Sequence, residues 1–437
     1  MNSLYLDTAR LGCISPTASL LQQGFVRLAA EEPCSLYTQQ FLHDGISAVP
    51  EFQEQFPQLF LWNGISDLKQ QVAQQLAGHT DSDRVLVSSR TKSLMELGAM
   101  LLTRRCQRVL VTDLIWPPYL RLLRRFANQS DTEICFVSVR ERLFTGKLSP
   151  VDLVNLLSNR FEHKQCDGLF LPLVSHTGIR LPVEMLVEQL RQRSQLGCTV
   201  VDASQAFGHV DTKFVTSLAD FTIGGVHKWV SAYLPLGIGL VGNETTAHAL
   251  RDLLTESVVD PLLSMLESAK SPAIKDARET VNVSPLLTCR GAVEDLHFQQ
   301  KSSQEQQQQN RDLTQDVLQR HGWRPLVPPQ SLQSGILLAQ SEKRVYRYVR
   351  SEDIRSVFRD RGLSVTTYPG GFVRISLPFE RFTNSAADRL ESALHNFSNP
   401  AGRRRTVLQL VAVRAREWLG ELPSRRFVAA DLQHAGC

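Results

Sequence analysis

Short apolar runs alternate with longer segments of helical period between residues 84 and 241, and this alternation constrains the fold more than any other feature. It runs through RVLVSS, SLMELGAMLLTRRC, RVLVTD, PPYLRLLRRFANQ, EICFVSV, SPVDLVNLLSNRF, GLFLPLV, VEMLVEQLRQRSQL and TVVDAS. Continuous Val, Ile and Leu are typical of strands buried on both faces, and parallel neighbours need helical crossovers of about this length. The pattern therefore predicts an α/β fold with a mostly parallel central sheet.

The pattern changes after about residue 265. A polar stretch with QQKSSQEQQQQNRD leads into a smaller unit containing SGILLAQ and SVTTYPGGFVRISL. The Gln-rich piece suits a disordered linker, but good helix formers without Gly or Pro favour the exposed middle of a long interdomain helix. We predict an N-terminal arm (1–75), a large domain (76–265), connecting helices (266–320), a small α+β domain (321–400) and a basic helical tail (401–437).

Composition excludes several classes of protein. The 437 residues are 42% hydrophobic and 21% charged with a net charge of +4, which is ordinary for a globular chain. Basic residues cluster only at 403–405, which we interpret as part of a solvated tail rather than a nucleic-acid site. Eight cysteines form no C-x-x-C pair, and neither a signal sequence nor a membrane span is apparent. We expect a cytoplasmic protein with no metal, nucleic-acid or membrane ligand.

Two neighbouring motifs carry the chemistry, VVDASQAFGHV (200–210) and DFTIGGVHKWV (220–230). Ligands of such sheets bind at the carboxyl ends of strands, where Asp202 lies. Asp202 could keep a pyridine nitrogen protonated, Lys228 could form an imine and Gln205 could donate to a phenolic oxygen. Each signal alone is weak, because an Asp at a strand end is often a cap or turn former.

Together these motifs resemble the class V aminotransferase family of fold-type-I pyridoxal-phosphate enzymes, which includes cysteine desulfurases, isopenicillin-N-epimerase-like proteins and kynureninases. The resemblance covers nearly the whole chain, through YLDTARLG, VLVSSRTKSLMELGAML, VLVTDLIWPPY, VSHTGIRLPVEML, VVDASQAFGH, GGVHKWVSAYLPLGIGLV and GGFVRISLP. It implies the cofactor pyridoxal 5′-phosphate, a large cofactor-binding domain, and a homodimer with shared active sites. The N-terminal arm would then pack against the small domain and the partner.

The resemblance also implies roles at the cofactor ring. Lys228 holds the cofactor as a Schiff base and moves protons, Asp202 pairs with the pyridine nitrogen, and Gln205 contacts the phenolic oxygen. Trp116 would stack on the ring, unless it only fills the core at a strand end. His227, beside the lysine, is typical of the family and is expected at the cofactor.

Phosphate contacts are implied just before the helix that begins near residue 91. Ser89, Arg90 and Thr91 would supply hydroxyl groups, charge and backbone N–H groups. Ser88 or Ser89 could merely cap that helix, which is compatible with a phosphate contact, and Arg90 could face the substrate. Gly225 stands where relatives often have Ser or Thr, so one contact is missing. Thr280 resembles the residue that reaches the phosphate of the partner subunit.

The substrate contacts implied by the resemblance are Arg374, His176 and Arg10. Arg374 in FVRIS would grip an α-carboxylate through its two parallel donors, with a surface salt bridge as the alternative. His176 lies in the VSHTG loop, where Ser175 is expected to contact the cofactor, although a lone His is more often structural.

The reaction is less constrained than the cofactor. The LSVTTYPGGFVR segment has no thiol before Arg374, which disfavours a persulfide-forming cysteine desulfurase. We predict an aminotransferase-like enzyme that acts on an α-amino acid or a metabolite derived from one, in the biosynthesis of a small molecule. A lyase or epimerase is the alternative. A cofactor-sensing regulator would need a helix-turn-helix module, but the residues before the sheet domain resemble the family's N-terminal arm instead. The intact Lys228, Asp202 and Gln205 argue against an inactive scaffold.

Overall fold

The computed structural model describes residues 3–32, 39–257, 259–274, 281–298 and 304–398. Its strands are β1 (Leu4–Tyr5), β2 (Val85–Ser88), β3 (Arg108–Thr112), β4 (Glu133–Val137), β5 (Gly168–Pro172), β6 (Cys198–Asp202), β7 (Phe221–Gly225), β8 (Gly237–Val241), β9 (Trp323–Leu326), β10 (Ile336–Ser341), β11 (Leu363–Ser364), β12 (Thr366–Tyr368) and β13 (Phe372–Ser376). They form a seven-stranded, a four-stranded and a two-stranded sheet.

Helices surround these sheets. They are α1 (Pro16–Glu31), α2 (Gln39–Asp44), α3 (Ile65–Val72), α4 (Thr91–Arg105), α5 (Pro117–Gln129), α6 (Arg140–Phe144), α7 (Pro150–His163), α8 (Val183–Arg193), α9 (Val215–Leu218), α10 (Glu244–Glu256), α11 (Pro261–Ser268), α12 (Ser284–Phe298), α13 (Gln304–Arg320), α14 (Ser351–Asp360) and α15 (Asn384–Ser398). Several begin as their sequences dictate. Proline stands at the first position of α5 and α7, and Ser149 and Asp152 form a capping box on α7.

The seven-stranded sheet has the order β2-β8-β7-β6-β5-β3-β4. The pairs from β7 through β4 are parallel, and β8 is antiparallel to both β7 and β2. The predicted mostly parallel sheet is confirmed. The exception has a simple cause, because residues 226–236 join β7 to β8 without a helix and so cannot provide a parallel crossover.

Both faces of this sheet are covered by apolar layers. Helices α4, α5 and α10 pack on one face, where Phe170, Val200 and Phe221 are buried with Leu97 of α4. The other face packs against α7, α8 and the N-terminal helices. Burying each such side chain contributes about 1.5–3 kcal/mol, so the sheet is a rigid platform for residues at its edge.

The four-stranded sheet is antiparallel, in the order β12-β13-β10-β9, and packs with α13, α14 and α15. The N-terminal segment joins this smaller unit through the parallel pair β1 and β11. Leu6 extends the connection, since its N–H donates to Ser364 and its carbonyl accepts from Ser376. The chain therefore starts against the small unit and then crosses to the large one.

Some predictions fall on parts of the chain without a described structure. The Gln-rich piece is helical from Gln304, where α13 begins, but residues 299–303 lie outside the described residues. Thr280 and the predicted tail (401–437) lie outside them too. Among the helices that are described, none has the length and apolarity needed to cross a bilayer.

Candidate active site

A cavity of about 540 Å³ lies at the carboxyl ends of the parallel strands, between the large sheet and the small unit. The predicted residues that line it are Arg10, Arg90, Thr91, Trp116, His176, Asp202, Gln205, His227, Lys228 and Arg374. They come from the N-terminal segment, both units and the loops between them. The two that are farthest apart in the sequence, Arg10 and Arg374, are separated by 364 positions. The fold therefore brings distant parts of the chain together in one cavity.

Lys228 follows β7 in a loop that the N-terminal segment holds in place. Gly12 donates its N–H to the carbonyl of His227 at 2.8 Å, and Ser231 donates to the carbonyl of Lys228 at 3.0 Å. A Cβ on Gly12 would collide with that Lys228 carbonyl, so only glycine permits the approach. Desolvation lowers the pKa of Lys228 to about 8. The amine is thus partly neutral, and nucleophilic, near physiological pH.

Asp202 ends β6 and is buried. Its Oδ1 accepts from the N–H of Ser204 at 2.8 Å, and its burial raises the pKa of the carboxyl despite that bond. Tyr119 lies nearby, and burial together with the Asp202 charge raises the pKa of its phenol. Tyr119 was not predicted as a site residue, although it stands in the quoted motif IWPPY. A desolvated carboxylate of this kind suits a cationic nitrogen as its partner.

The side chain of Gln205 is fixed at both ends. Its Oε1 accepts from the indole N–H of Trp229 at 2.9 Å, and its Nε2 donates to the carbonyl of Ala9 at 2.7 Å. An indole can only donate, so this bond assigns the oxygen and the nitrogen of the amide. The amide nitrogen has a second N–H, and a donor is what a phenolic oxygen requires.

The N-terminus of α4 lies at one end of the cavity, where Arg90 and Thr91 line it. Thr91 is its first helical residue, and a Cβ on Gly225 would lie 2.5 Å from the Thr91 hydroxyl. The side chain of Thr91 thus occupies space that a larger residue at 225 would need. Exposed backbone N–H groups and the helix dipole at this end favour an anion.

Two residues predicted as cofactor contacts, Ser89 and Ser175, are not among those that line the cavity. The backbone N–H and hydroxyl of Ser89 both bond Asp260 at 3.1 Å, so Ser89 lies outside the cavity and does not cap α4 either. The hydroxyl of Ser175 bonds that of Thr177 at 3.0 Å and accepts from the N–H of Ile179. Ser89 thus connects its loop to the start of α11, and Ser175 stabilises its own loop.

Trp116 is the N-terminal cap residue of α5 and lines the cavity with 43% of its surface exposed. Its ring meets that of Tyr119 edge-on, with the centroids 4.9 Å apart. This exposure does not agree with a core-filling role. A flat apolar surface at the wall of the cavity is available for stacking.

Arg374 lies on β13 and is 4% exposed. Its guanidinium donates to the carbonyl of His176 and to the hydroxyl of Thr366, both at 3.3 Å, and lies 3.5 Å from the carboxylate of Asp7. Its Nε–H has no hydrogen-bond partner in the described structure. This burial excludes a surface salt bridge, and a buried unpaired donor at a cavity wall suits a ligand carboxylate.

The two histidines of the cavity are neutral. Desolvation lowers the pKa of His176 to about 3 and that of His227 to about 4. The ring of His176 lies edge-on to Tyr368 at 6.0 Å, and the Nδ1 atoms of both histidines have no bonded partner in the described structure. Arg10 is exposed and lines the cavity near Asp7 and Tyr368, whose pKa values respond to its charge.

Comparison with known proteins agrees with this geometry. The family model for aminotransferase class-V matches residues 124–371. The chain belongs to the class-V aminotransferase family. It is therefore an enzyme that depends on pyridoxal 5′-phosphate and acts on amino acids, as a transferase or a lyase. No curated protein matches the chain by sequence.

Solved class-V structures share the fold. The Escherichia coli cysteine desulfurase CsdA is 16% identical with a TM-score of 0.65, covering 90% of this chain and 94% of that chain. The Bacillus subtilis ureidoglycine-glyoxylate aminotransferase is 14% identical with a TM-score of 0.62, covering 95% and 98%. The cystine C-S lyase C-DES is 17% identical with a TM-score of 0.65, covering 91% and 98%. At these identities the likeness concerns the fold.

The residues of this class-V cavity suit the cofactor. An amine with a lowered pKa, a desolvated carboxyl at a strand end and an amide with a spare N–H meet the needs of an aldehyde, a pyridine nitrogen and a phenolic oxygen. The N-terminus of α4, with Arg90 and Thr91 beside it, suits the phosphate. The cofactor prediction is confirmed at the level of the family.

Proposed function

We propose that this chain is an aminotransferase-like enzyme that acts on an α-amino acid or a metabolite derived from one, in the biosynthesis of a small molecule. One observation carries the proposal. Lys228, with its lowered pKa, and the buried guanidinium of Arg374, with its unpaired Nε–H, line the same cavity. An α-amino acid substrate requires an amine that transfers protons and a guanidinium that binds the carboxylate through two parallel donors.

We assign the cofactor end to four side chains. Pyridoxal phosphate, when bound, supplies an electron sink for charge that develops on the substrate. Lys228 anchors it and then carries a proton to and from the substrate carbon, which its pKa near 8 permits at neutral pH. Asp202 would hold the pyridine nitrogen protonated, and Gln205 would donate to the phenolic oxygen. Trp116, at the wall of the cavity, would shield the ring from water.

We assign the substrate end to Arg374, Arg10 and His176. The buried Arg374 binds the α-carboxylate through its positive charge and through its two parallel N–H donors. The exposed Arg10 contributes a second positive charge to the same wall and raises the local concentration of anionic substrates. His176, neutral and with an unpaired Nδ1, offers one further polar contact.

The proposal excludes a persulfide-forming cysteine desulfurase. Such an enzyme needs a thiol that reaches the substrate, and the cavity is lined by no cysteine among the described residues. The chain between β12 and β13 is a tight turn that contains Gly370 and Gly371, both with positive φ. That turn has no cysteine and no length to carry one into the cavity.

We further propose a homodimer with shared active sites in the cytoplasm, with Thr280 near the partner's phosphate. Family membership supports the dimer, whereas the role of Thr280 rests on the sequence. Sedimentation of the loaded enzyme should give a dimer. A fully active, loaded monomer would contradict this proposal.

The test of the reaction is product analysis by mass spectrometry. Purified holoenzyme is offered a panel of amino acids and S-substituted derivatives, with and without a keto acid. An aminotransferase yields a keto acid and, with the acceptor present, a new amino acid. Products that form only by elimination or epimerisation would replace the proposal by the lyase or epimerase alternative, and release of persulfide would overturn the exclusion of a desulfurase.

A further inference from the structure

Trp229 follows Lys228 in the chain but does not line the cavity. Its ring is 2% exposed and packs behind the site, where its N–H donates to Oε1 of Gln205. Because Gln205 lines the cavity, this bond connects Trp229 to the site. An indole has no acceptor, so the bond exists in one orientation of the amide only.

The opposite orientation of Gln205 is penalised twice. A flipped amide would place its NH₂ group against the indole N–H and its oxygen against the carbonyl of Ala9, which now accepts from Nε2 at 2.7 Å. Donor would face donor and acceptor would face acceptor in a buried space. The pair of bonds therefore keeps the NH₂ end of Gln205 as the end with a free N–H.

The ring of Trp229 is itself clamped. It stacks on His209 with centroids 3.8 Å apart at an interplanar angle of 12°, and Phe379 meets its edge at 5.7 Å. Nε2 of His209 accepts from the N–H of Gly335, so Nδ1 carries the proton and donates to the carbonyl of Gln205 at 2.7 Å. His209 is thus hydrogen-bonded through both ring nitrogens, and it connects the small unit to the backbone of Gln205. Its ring also stacks on Trp229, which bonds the side chain of Gln205.

We propose that Trp229 is a positioning residue that orients the Gln205 amide. The free N–H of that amide then faces the phenolic oxygen of the cofactor, and this contact sets the proton affinity of the cofactor chromophore. The proposal rests on pyridoxal phosphate as the cofactor, not on the identity of the substrate. A donor to the phenolic oxygen draws off negative charge that would otherwise hold a proton on the Lys228 nitrogen. A weaker donor lets that proton stay to a higher pH.

The experiment is a pH titration of the visible absorption of the holoenzyme, without substrate. Trp229→Phe keeps an aromatic ring for the stack and removes the N–H. We expect the midpoint of the spectral transition to rise by about 0.5–1 pH unit, as for the loss of one neutral hydrogen bond. Phe379→Leu is the matched control, because it disturbs the same stack without touching Gln205, and its midpoint should equal that of the wild type.

Further variants separate orientation from packing. Gln205→Met, titrated in the same way, should raise the midpoint at least as much as Trp229→Phe does. In the double variant, Trp229→Phe should add no further shift, because its effect passes through Gln205. An unchanged midpoint in Trp229→Phe or in Gln205→Met would overturn the proposal, as would an equal shift in Phe379→Leu. Should Trp229→Phe fail to fold, the Gln205→Met titration decides.

Discussion

The two ends of the cavity are built in different ways. The cofactor end takes Asp202, Gln205 and Lys228 from one stretch of 27 residues at the ends of two adjacent strands. The substrate end takes Arg10 from the N-terminal segment, His176 from the loop after β5, and Arg374 from β13 of the small unit. One end depends on local strand order, and the other depends on how distant segments pack.

This difference predicts two kinds of mutational effect. By our proposal, residues on the rigid sheet hold a group that every substrate needs, so their loss should affect all substrates alike. Residues of the substrate end contact one feature of the substrate, so their loss should change the ratio between substrates. The following predictions test that separation, from the largest expected effect to the smallest.

Lys228→Ala should have the largest effect. Losing both the anchor and the proton carrier should lower kcat by at least about 10²–10⁴-fold for every substrate. The measurement is single-turnover kinetics with the best substrate of the panel. Lys92→Ala is the matched control, since Lys92 lines the same cavity but already pairs with Glu96, and it should keep most of the activity. Near wild-type activity in Lys228→Ala would contradict the assignment of Lys228 to the cofactor end.

Asp202→Asn should still take up cofactor through Lys228 and the phosphate contacts, but should lose activity by about 10²–10³-fold because the pyridine nitrogen is no longer held protonated. The loss should be the same for all substrates. We would measure cofactor content by absorbance and kcat/KM for several amino acids. A loss confined to one substrate would move Asp202 out of the cofactor end, and a failure to fold would indicate a structural role.

Arg374→Lys should separate substrates. It keeps the charge but loses the fork, so kcat/KM for an amino acid should fall by about ten- to a hundred-fold, as for one charge-assisted hydrogen bond. The matching decarboxylated amine should change little, and cofactor absorbance should stay the same. The measurement is kcat/KM for the acid and the amine in both proteins. Equal losses for both would show that Arg374 does not read the carboxylate.

The pH dependence of cofactor capture gives the mildest test. Desolvation lowers the pKa of Lys228 from 10.5 to about 8, and only the neutral amine attacks an aldehyde. The rate at which apoenzyme captures pyridoxal phosphate should therefore rise about tenfold per pH unit below the pKa and level off above about pH 8. Stopped-flow absorbance measures it. A rate that keeps rising to pH 10 would indicate an ordinary lysine.

The sequence predicted residues of both ends of the cavity, since Arg10, His176 and Arg374 line it as do the cofactor-end residues. The sheet and the placement of Asp202, Gln205 and Lys228 in one cavity followed from strand periodicity and motif order. The sequence could not show the partners of Ser89 and Ser175, because a hydroxyl turns to whichever partner the fold supplies, such as Asp260 for Ser89.

Three residues that support the site were missed because their contacts arise only when the chain packs. Asp7 and Gly12 stand in the quoted motif YLDTARLG, yet only the packed structure places one beside Arg374 and the other against Lys228. Trp229 likewise appears in the motif with the lysine, but its bond to Gln205 depends on side-chain orientation. Periodicity shows which face of a strand is buried, and it carries no information on such pairs.

The most direct test of the cofactor end is borohydride reduction of the purified holoenzyme, followed by digestion and mass spectrometry. We predict a yellow protein in which reduction fixes the cofactor to one peptide, at Lys228. Attachment at another lysine, or a colourless protein that takes up no pyridoxal phosphate, would contradict the assignment of this cavity.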